Sequence, residues 1–595
     1  MKKSRRDFLK KLPLAMSIPF TLGGIPFKAL GQGLLAKIAE ASATDKVLVI
    51  LQMHGGNDGL NCLIPVERYS DYFSVRQNIA IPTPNKKRGY VNLDSTLPIE
   101  TQVGLHPDMQ AMKHMYDAGK MTVVQGVSYK QNNGSHFRGR DISFMGGGFN
   151  DYFDSGWLGR YLNETYAPYK YPEDFLNPTV PGNQMRDPLA LELGNDTSLI
   201  FHQSDSIPTS ISLSSVPGFY DLISKDLEGF EDEIAEILDN RGVPPVGLDG
   251  SPYQKEMEWI LGLEDKSRDY SEILYERYVA GKASNIVYPE LYPFNAPQGS
   301  LHNPLSHQLK MVARLLGGGC KTRVFLVKIG GFDTHADQVE KYDSTMGGHA
   351  ALMYHISTAM NAFLKDLKGR GLENEVLTIT TSEFGRRVDS NGSYGTDHGT
   401  AGPLFIFGAG ASGGVVGEAF KTADATAPYG NLAMQVDYRN VYANILRTWM
   451  GVTDDKIMNK IFPDSRDPNN EQKGIMNQAS DGGTADGTKF VEMPIVTTSI
   501  TDKEGFVGDR FSLEDCYPNP AVTKTTIHFK INSAYDVNVD LYDVKGIKVK
   551  EMVKGFFTPG THKVEVDLTG IPAGNYIYQL KSGFYTEAKK LVIKK

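Results

Sequence analysis

The sequence predicts an α/β fold with a mostly parallel sheet and helices on both faces, followed by a small C-terminal all-β sandwich. Continuous apolar runs of strand length recur between Lys46 and Phe407, as expected for strands that are buried on both faces. Stretches with helical spacing alternate with these runs, which favours crossover connections. Beyond Thr525 the pattern changes to short alternating runs separated by turn residues, which is typical of a sandwich.

Three of the apolar runs end abruptly in polar residues. They are Lys46–Gln52, Thr322–Ile329 and Val376–Thr381. In open α/β sheets, ligands bind outside the carboxyl ends of the strands. The acids and histidines that follow these runs, or that precede the apolar run Leu404–Phe407, are therefore site candidates: Asp58, Asp333, His335, Glu383, Asp397 and His398.

This set of side chains suits a divalent metal, because a cation neutralises carboxylates that otherwise repel one another. The set contains no sulfur, so one or two ions of Zn, Mn, Mg or Ca are expected and an iron–sulfur site is not. The alternative is internal pairing. In that case Glu383 pairs with Arg386 or Arg387, and Asp397 caps a turn.

Ser135 is the candidate nucleophile. It follows the short apolar run Met121–Gln125 and precedes a predicted helix, whose N-terminus would favour an alkoxide. His136 lies beside it as a ligand or a base. The alternative is that Ser135 only caps the helix. Arg138 either binds substrate anions or pairs with Asp141.

Residues 1–43 are predicted to be a twin-arginine export signal. Arg5 and Arg6 precede a moderately apolar stretch, and Ala41-Ser42-Ala43 offers small residues for cleavage. The twin-arginine translocase is thus an expected partner. Prolines and glycines interrupt the apolar stretch, so no transmembrane anchor is expected.

Charge and cysteine content exclude several classes of protein. The formal net charge is −8 and the pI is near 6.0, so neither nucleic acid nor an anionic membrane surface is an expected partner. Cys62, Cys320 and Cys516 are widely separated. They form no zinc-ribbon spacing and no disulfide framework. We interpret them as buried or incidental thiols, with one bridging pair as the alternative.

Composition divides the rest of the chain. We predict an α/β domain over residues 44–467. A linker rich in Gly, Asn, Asp and Thr is predicted over residues 468–510. The all-β domain then spans residues 511–595.

The span from Lys46 to Val452 resembles the bacterial family called domain of unknown function 1501. Six motifs carry the resemblance: His54 to Asn61, Gly134 to Phe137, Gly156 to Arg160, Phe332 to His335, Ser382 to Arg386 and Gly395 to Thr400. That family looks like a distant member of the alkaline phosphatase and sulfatase superfamily. Its fold binds one or two divalent metals at strand ends, beside a Ser, Thr or modified nucleophile.

The resemblance implies roles for individual residues. Asp58 matches the first-strand metal aspartate and Ser135 the nucleophile position. Asp333 and His335 match the next ligand pair, with a shorter spacing than the usual Asp-x-x-x-His. Glu383 stands where the superfamily usually has Asp-His. Asp397 and His398 are assigned as further metal ligands. The substrate-binding residues are Asn57, Arg138 and Arg386.

The stretch from Phe511 to Lys595 resembles the C-terminal sorting domain of type IX secretion substrates. The motifs are Tyr517 to Pro520, Leu541 to Gly546, Pro572 to Tyr576 and Lys589 to Lys595. The resemblance implies that the type IX machinery is a partner. It also implies passage through the periplasm, removal of this domain, and a location at the cell surface or outside the cell.

Two functions are compatible with these features. The first is an exported metal-dependent hydrolase of phosphate or sulfate esters, with Ser135 attacking in line. The alternative is a non-catalytic surface protein of the same fold that binds glycans or a partner.

Overall fold

A computed structural model of the chain describes residues 21–22, 25–26, 46–169, 171, 174–175, 185–194, 196–203, 208–224, 269–420, 430–497, 512–531, 535–543, 547–557, 560–582 and 585–594. The predicted export signal over residues 1–43 lies outside them, except for two short strands. These strands, Thr21–Leu22 and Ile25–Pro26, pair in antiparallel fashion.

A nine-stranded sheet forms the centre of the α/β domain. Its strands in chain order are β1 (Val47–Met53), β2 (Met121–Ser128), β3 (Ala190–Leu193), β4 (Ser210–Leu213), β5 (Val324–Ile329), β6 (Val376–Ser382), β7 (Gly402–Phe407), β8 (Val415–Val416) and β9 (Val436–Asp437). In space their order is β8, β2, β7, β6, β1, β5, β3, β4, and β9 also pairs with β2.

All pairings in this sheet are parallel except those of β7. Strand β7 runs antiparallel to both β6 and β2. The carboxyl ends of β1, β2, β5 and β6 therefore lie at one edge of the sheet, and β7 begins at that same edge. The predicted mostly parallel sheet is confirmed.

Strand β1 shows why the sheet is covered on both faces. All seven of its residues are buried, and successive side chains of a strand point to opposite faces. Val49 and Leu51 belong to one core cluster, whereas Leu48 and Ile50 belong to another. A strand buried on both faces has no solvent-facing side, which explains the continuous apolar run from Val47 to Leu51.

Helices cover both faces of the sheet. They are α1 (Gly59–Cys62), α2 (Tyr69–Val75), α3 (Gln110–Asp117), α4 (His136–Met145), α5 (Trp157–Tyr166), α6 (Val216–Ser224), α7 (Pro304–Gly317), α8 (Gly348–Gly369), α9 (Tyr438–Thr448) and α10 (Asp455–Ile461), and residues 269–280 are also helical. Helices α3, α7 and α8 contribute to the first core cluster. Helices α4, α5, α9 and α10 contribute to the second.

Shorter elements complete the domain. A small sheet is formed by Leu63–Pro65, Val91–Asn92 and Val103–Leu105. A hairpin pairs Arg386–Ser390 with Thr396–His398 just before β7. Single 3₁₀ turns occur at Ile99–Thr101, Pro107–Met109, Leu199–Phe201 and Gln298–Ser300.

The structure corrects the predicted linker. Residues 468–497 pack against the α/β domain, and Ile475 and Ile495 lie in its second core cluster. The fully buried Arg439 of α9 binds Asp486 from this segment, with Nη2 and Oδ2 2.6 Å apart. The Asn444 side chain donates to the carbonyl oxygen of Val491 at 2.7 Å. The polar composition of this segment is typical of a linker, but its polar groups form hydrogen bonds with the α/β domain. Residues 498–510 lie outside the described residues.

The C-terminal domain is all β, as predicted. Its strands are β10 (Ser512–Leu513), β11 (Lys524–Ile531), β12 (Tyr535–Tyr542), β13 (Lys548–Phe557), β14 (Gly560–Asp567), β15 (Gly574–Ser582) and β16 (Tyr585–Ile593). One sheet has the order β10-β11-β14 and the other β13-β12-β15-β16, with antiparallel pairing throughout. Residues of both sheets share one apolar core.

All three cysteines are buried free thiols. Among the described residues, no helix combines the length and the apolar character that crossing a membrane requires.

Candidate metal centre

Polar side chains from several strand ends meet at the carboxyl edge of the sheet. His54 directly follows β1, Asp333 and His335 follow β5, and Glu383 directly follows β6. Each strand brings its last apolar residue to the edge, so the next side chains emerge together there.

Two further elements add residues to the same edge. His136 is the first residue of α4, which is reached from β2 through a short loop. His398 ends the hairpin that precedes β7, and its neighbour Asp397 lies on the same strand. Six of the predicted site residues therefore converge, and His54 joins them: His136, Asp333, His335, Glu383, Asp397 and His398.

Three imidazole nitrogens and one carboxylate oxygen form the centre of this cluster. Nε2 of His398 lies 2.9 Å from Nε2 of His136 and 2.7 Å from Nε2 of His335. Oδ1 of Asp333 lies 3.2 Å from Nε2 of both His335 and His398, and 3.4 Å from that of His136. One ligand atom each from His136, Asp333 and His398 lies within 4.8 Å of the others, a grouping able to hold a metal ion.

Two carboxylates hold the outer nitrogens of the histidine rings. Oε2 of Glu383 contacts Nδ1 of His136 at very short range, and Oδ1 of Asp397 lies 3.3 Å from Nδ1 of His335. An ionised carboxylate only accepts hydrogen bonds, so Nδ1 of each neutral ring carries the proton. Nε2 of each ring then presents a lone pair to the cluster. This carboxylate–histidine arrangement is the one that orients metal-binding imidazoles, and the residues present therefore fit a divalent cation.

The charges of the cluster are set by these contacts. Burial opposes ionisation of Asp333, but hydrogen bonds from Arg386 and His398 outweigh it and lower the pKa of Asp333 to about 2. Burial likewise opposes ionisation of Glu383, and hydrogen bonds from His54 and His136 lower its pKa. The hydrogen bond to Glu383 raises the pKa of His54. Burial lowers the pKa of His398 against the opposing effect of Asp333, which favours the neutral, metal-binding form of that ring.

Glu383 and Asp397 are the two carboxylates at the outer side of the cluster. Both lie against the outer Nδ1 atoms of histidines and do not converge with the four central atoms. Glu383 is 2% exposed at its side chain and also bonds Nδ1 of His54 at 2.5 Å. From these positions the two carboxylates can orient the rings of His136 and His335, and their role as metal ligands stays a prediction.

Arg386 differs from its predicted role in substrate binding. Its side chain is fully buried and donates to Oδ1 of Asp333 at 2.6 Å. It also donates to the carbonyl oxygens of four residues around the edge: Gly55, Gly56, Phe332 and Thr396. Its hydrogen-bonding capacity is thus used to join three loops and to fix Asp333.

Arg138 also donates hydrogen bonds to backbone carbonyl oxygens of the protein. Its Nη2 donates to the carbonyl oxygens of Phe149 and Asp151 at 2.5 and 2.6 Å. Its guanidinium lies 4.0 Å from the centre of the Tyr152 ring. These contacts fix the loop after α4, in place of the predicted substrate contact.

Asp58 and Asn57 lie outside the cluster. The Asp58 carboxylate is fully buried and paired with Nη1 of Arg76 at 2.7 and 2.8 Å. Nε2 of Gln338 donates to the same carboxylate at 2.6 Å. Asn57 is 1% exposed, and its Oδ1 lies 3.2 Å from Nε2 of His349. The Asp58 carboxylate therefore forms an internal ion pair with Arg76, and its role as a metal ligand stays a prediction.

Ser135 caps α4, the alternative stated for it above. Its side-chain oxygen accepts from the backbone N–H of Arg138 at 3.4 Å. The adjacent Gly134 has a φ of +67°, and a Cβ atom there would lie 2.9 Å from Cβ of His398. The backbone just before the serine therefore packs against His398. A cap hydrogen bond of this length is weak.

His54 is the residue that the sequence analysis did not weigh as a site residue. It is half-exposed and shares Glu383 with His136. Its position in the sequence could have identified it, because His54 directly follows β1 in the same way that Glu383 directly follows β6.

Two segments match known families. Residues 301–462 match the family described as "Protein of unknown function (DUF1501)". Residues 515–594 match the secretion system C-terminal sorting domain. Both resemblances drawn from the motifs are confirmed over these segments, and the sorting domain indicates export to the cell surface or beyond. No curated protein matches the chain.

Solved structures offer distant likenesses. The PsFucS1 sulfatase from Pseudoalteromonas sp. is 12% identical, with 91% of this chain and 88% of that chain covered and a TM-score of 0.31. The protein BT33494S-sulf, from the metabolism of multiple glycosaminoglycans by Bacteroides thetaiotaomicron, is 9% identical over 86% and 89%, with a TM-score of 0.30. The phosphonate monoester hydrolase SpPMH from Silicibacter pomeroyi is 12% identical over 92% and 88%, with a TM-score of 0.25.

Proposed function

We propose that this exported chain is a metal-dependent hydrolase of phosphate or sulfate esters. The observation that carries the proposal is the grouping of one ligand atom each from His136, Asp333 and His398 within 4.8 Å of one another, with Nε2 of His335 2.7 Å from Nε2 of His398. Imidazole nitrogens together with a carboxylate suit Zn or Mn better than Ca, which prefers oxygen ligands. Glu383 and Asp397 hold the rings of His136 and His335 in the required orientation.

The residues around the cluster have separate proposed roles. A divalent cation held there supplies Lewis-acid polarisation of an ester oxygen. Ser135, at the N-terminus of α4, is the proposed nucleophile, because the helix dipole favours the charge that develops on its oxygen. His54, bonded to the buried Glu383, is placed to exchange a proton with the departing alcohol. Arg386 keeps Asp333 ionised and in place.

Metal analysis and kinetics of the purified full chain test this proposal. The wild-type protein should contain a stoichiometric divalent ion and hydrolyse p-nitrophenyl phosphate or p-nitrophenyl sulfate. His398→Ala should lose both the ion and the turnover. Ser135→Ala should keep the ion and lose turnover. The matched control is His302→Ala, which removes an exposed histidine and should change neither quantity. A protein without a stoichiometric ion, unchanged by Asp333→Ala, would argue against the proposal.

A second candidate is a non-catalytic surface protein of the same fold that keeps a metal and binds glycans or a partner. The internal contacts of both arginines favour it, since Arg386 is fully buried and Nη2 of Arg138 already donates to two carbonyl oxygens. Retention of the ion with no turnover across a panel of phosphate and sulfate esters would support this second candidate.

A further inference from the structure

Two separate segments of the chain supply most of the central atoms of the cluster. One segment follows β5 and carries Asp333 and His335. The other is the hairpin strand Thr396–His398, which ends in a histidine of the same cluster. A metal ion holds its ligands at nearly constant distances. The two segments must therefore keep a fixed separation if they are to bind one ion together.

The side chain of Gln338 joins these two segments. Gln338 is fully buried. Its Oε1 accepts a hydrogen bond from Oγ1 of Thr334 at 2.9 Å and another from Oγ1 of Thr396 at 2.8 Å. Thr334 lies between Asp333 and His335 in the chain. Because an amide oxygen has two lone pairs, the two segments together use the full accepting capacity of this one atom.

The orientation of the Gln338 amide is fixed on its other side. Nε2 of Gln338 donates to Oδ2 of Asp58 at 2.6 Å. Burial opposes ionisation of Asp58, but the charge of Arg76 outweighs it and lowers the pKa of that carboxyl. An ionised carboxylate only accepts hydrogen bonds, so the amide nitrogen faces Asp58 and the amide oxygen faces the two threonines.

The backbone of Gln338 is also anchored at both of its polar groups. Its N–H donates to the carbonyl oxygen of Tyr394, in the turn of the hairpin, at 3.0 Å. Its carbonyl oxygen accepts from the N–H of His349 at 3.1 Å, and His349 is the second residue of the long helix α8. Gln338 is thus held by a helix and by a buried ion pair, and it can act as a fixed point between the segments.

We propose that Gln338 is a positioning residue of the metal centre, whose side-chain oxygen fixes the segment carrying Asp333 and His335 relative to the hairpin strand carrying His398. The inference rests on the proposed function, since the placement of these side chains matters through the ion that they hold. Without this oxygen, the buried hydroxyls of Thr334 and Thr396 lose their acceptor. A buried donor without an acceptor is costly, so each hydroxyl turns to another acceptor and its segment shifts.

Zinc affinity of the purified full chain tests the role of Gln338, as measured by competition with a chelator. Gln338→Met keeps a side chain of similar length without the oxygen and should lower the affinity for Zn²⁺ about 10- to 100-fold, as for other residues that orient metal ligands. The matched control is Gln203→Met. Gln203 is also buried, but its Nε2 donates to the carbonyl oxygen of Tyr171, so its loss should leave the affinity unchanged.

Substitutions of the two threonines separate positioning from a purely structural role. Thr334→Val and Thr396→Val remove the hydroxyls at nearly constant shape, and each should lower the affinity for Zn²⁺. Thr334→Ser and Thr396→Ser keep the hydroxyls and should keep the wild-type affinity. A purely structural role would lower the unfolding midpoint of the valine variants without changing their affinity, and that result would overturn the inference.

Hydrogen–deuterium exchange of the metal-free full chain separates failure of this inference from failure of the proposed function. Gln338→Met should accelerate exchange in peptides that cover residues 332–338 and 391–398, whereas Gln203→Met should not. A wild-type chain that binds no Zn²⁺ would overturn the proposed function alone, and faster exchange in both peptides would still support Gln338 as the link between the segments. Unchanged exchange in either peptide, or faster exchange with unchanged affinity for Zn²⁺, would overturn the inference.

Discussion

Removal of the Asp58 carboxylate should destabilise the α/β domain and leave metal binding intact. Asp58 and Arg76 form an ion pair whose two side chains are both fully buried. Asp58→Ala would leave the Arg76 guanidinium inside the protein without its counter-charge. The resemblance to metal enzymes predicts the opposite result, because it makes Asp58 a ligand.

The size of the effect follows from the contacts of Arg76. Breaking a buried ion pair by removing one partner typically costs about 3–5 kcal/mol, because the remaining charge is uncompensated. Arg76 retains three acceptors after the substitution, namely Oδ1 of Asn61 and the carbonyl oxygens of Arg387 and Val388. We therefore expect a loss near the lower end, about 3 kcal/mol.

Urea denaturation and metal analysis of the same samples provide the assay. Asp58→Ala should shift the unfolding midpoint of the α/β domain strongly and retain the stoichiometric ion under native conditions. Asp389→Ala removes an exposed acid from the hairpin strand that contacts Arg76 and should leave the midpoint unchanged. A stable Asp58→Ala protein that has lost its ion would refute the reasoning.

Three further predictions concern the support of the cluster and the packed segment. Asp397→Asn weakens the contact with Nδ1 of His335 and should lower metal affinity about 10- to 100-fold, as measured by competition with a chelator. Unchanged affinity would contradict the proposal that Asp397 orients the His335 ring. Gly134→Ala should also lower metal affinity, because the new Cβ would lie 2.9 Å from Cβ of His398 at a φ of +67°; an unchanged ion content and affinity would count against this packing. Burial opposes ionisation of Asp486, but the buried guanidinium beside it lowers the pKa to about 2 from 3.8. Because the pKa is lower in the folded state, ionised Asp486 stabilises the fold by at most about 2 kcal/mol above pH 4, and this stabilisation is lost between pH 4 and pH 2. The urea midpoints of wild type and Asp486→Asn should therefore differ at pH 7 and converge near pH 2. A difference in midpoint that persists at pH 2 would contradict this assignment.

The strands of the sheet could be predicted from the sequence because strands buried on both faces are continuous apolar runs. Strands such as β1 are apolar over most of their length, and polar residues begin near their ends. The convergence of Asp333, His335 and His398 followed from the rule that strand ends share one edge of the sheet. These parts of the site were predictable since both depend on local pattern and a general property of parallel sheets.

Pairing between side chains distant in sequence left no such trace. Arg76 directly follows helix α2 and belongs to none of the motifs, so nothing in the sequence marked it as the partner of Asp58. The acceptors of Arg386 are mostly backbone carbonyls, which no side-chain motif reveals. The segment that carries Asp486 has a linker-like composition, although its polar groups bind α9. In each case the partner is distant in sequence or belongs to the backbone, and neither leaves a local sequence pattern.

Anomalous diffraction from crystals of the metal-loaded protein, recorded at the absorption edge of the bound ion, tests the central claim most directly. The account predicts one strong peak within about 2.0–2.2 Å of an imidazole nitrogen of His136 and of His398 and of a carboxylate oxygen of Asp333. A peak coordinated by Asp58, or no peak at the carboxyl edge of the sheet, would contradict it.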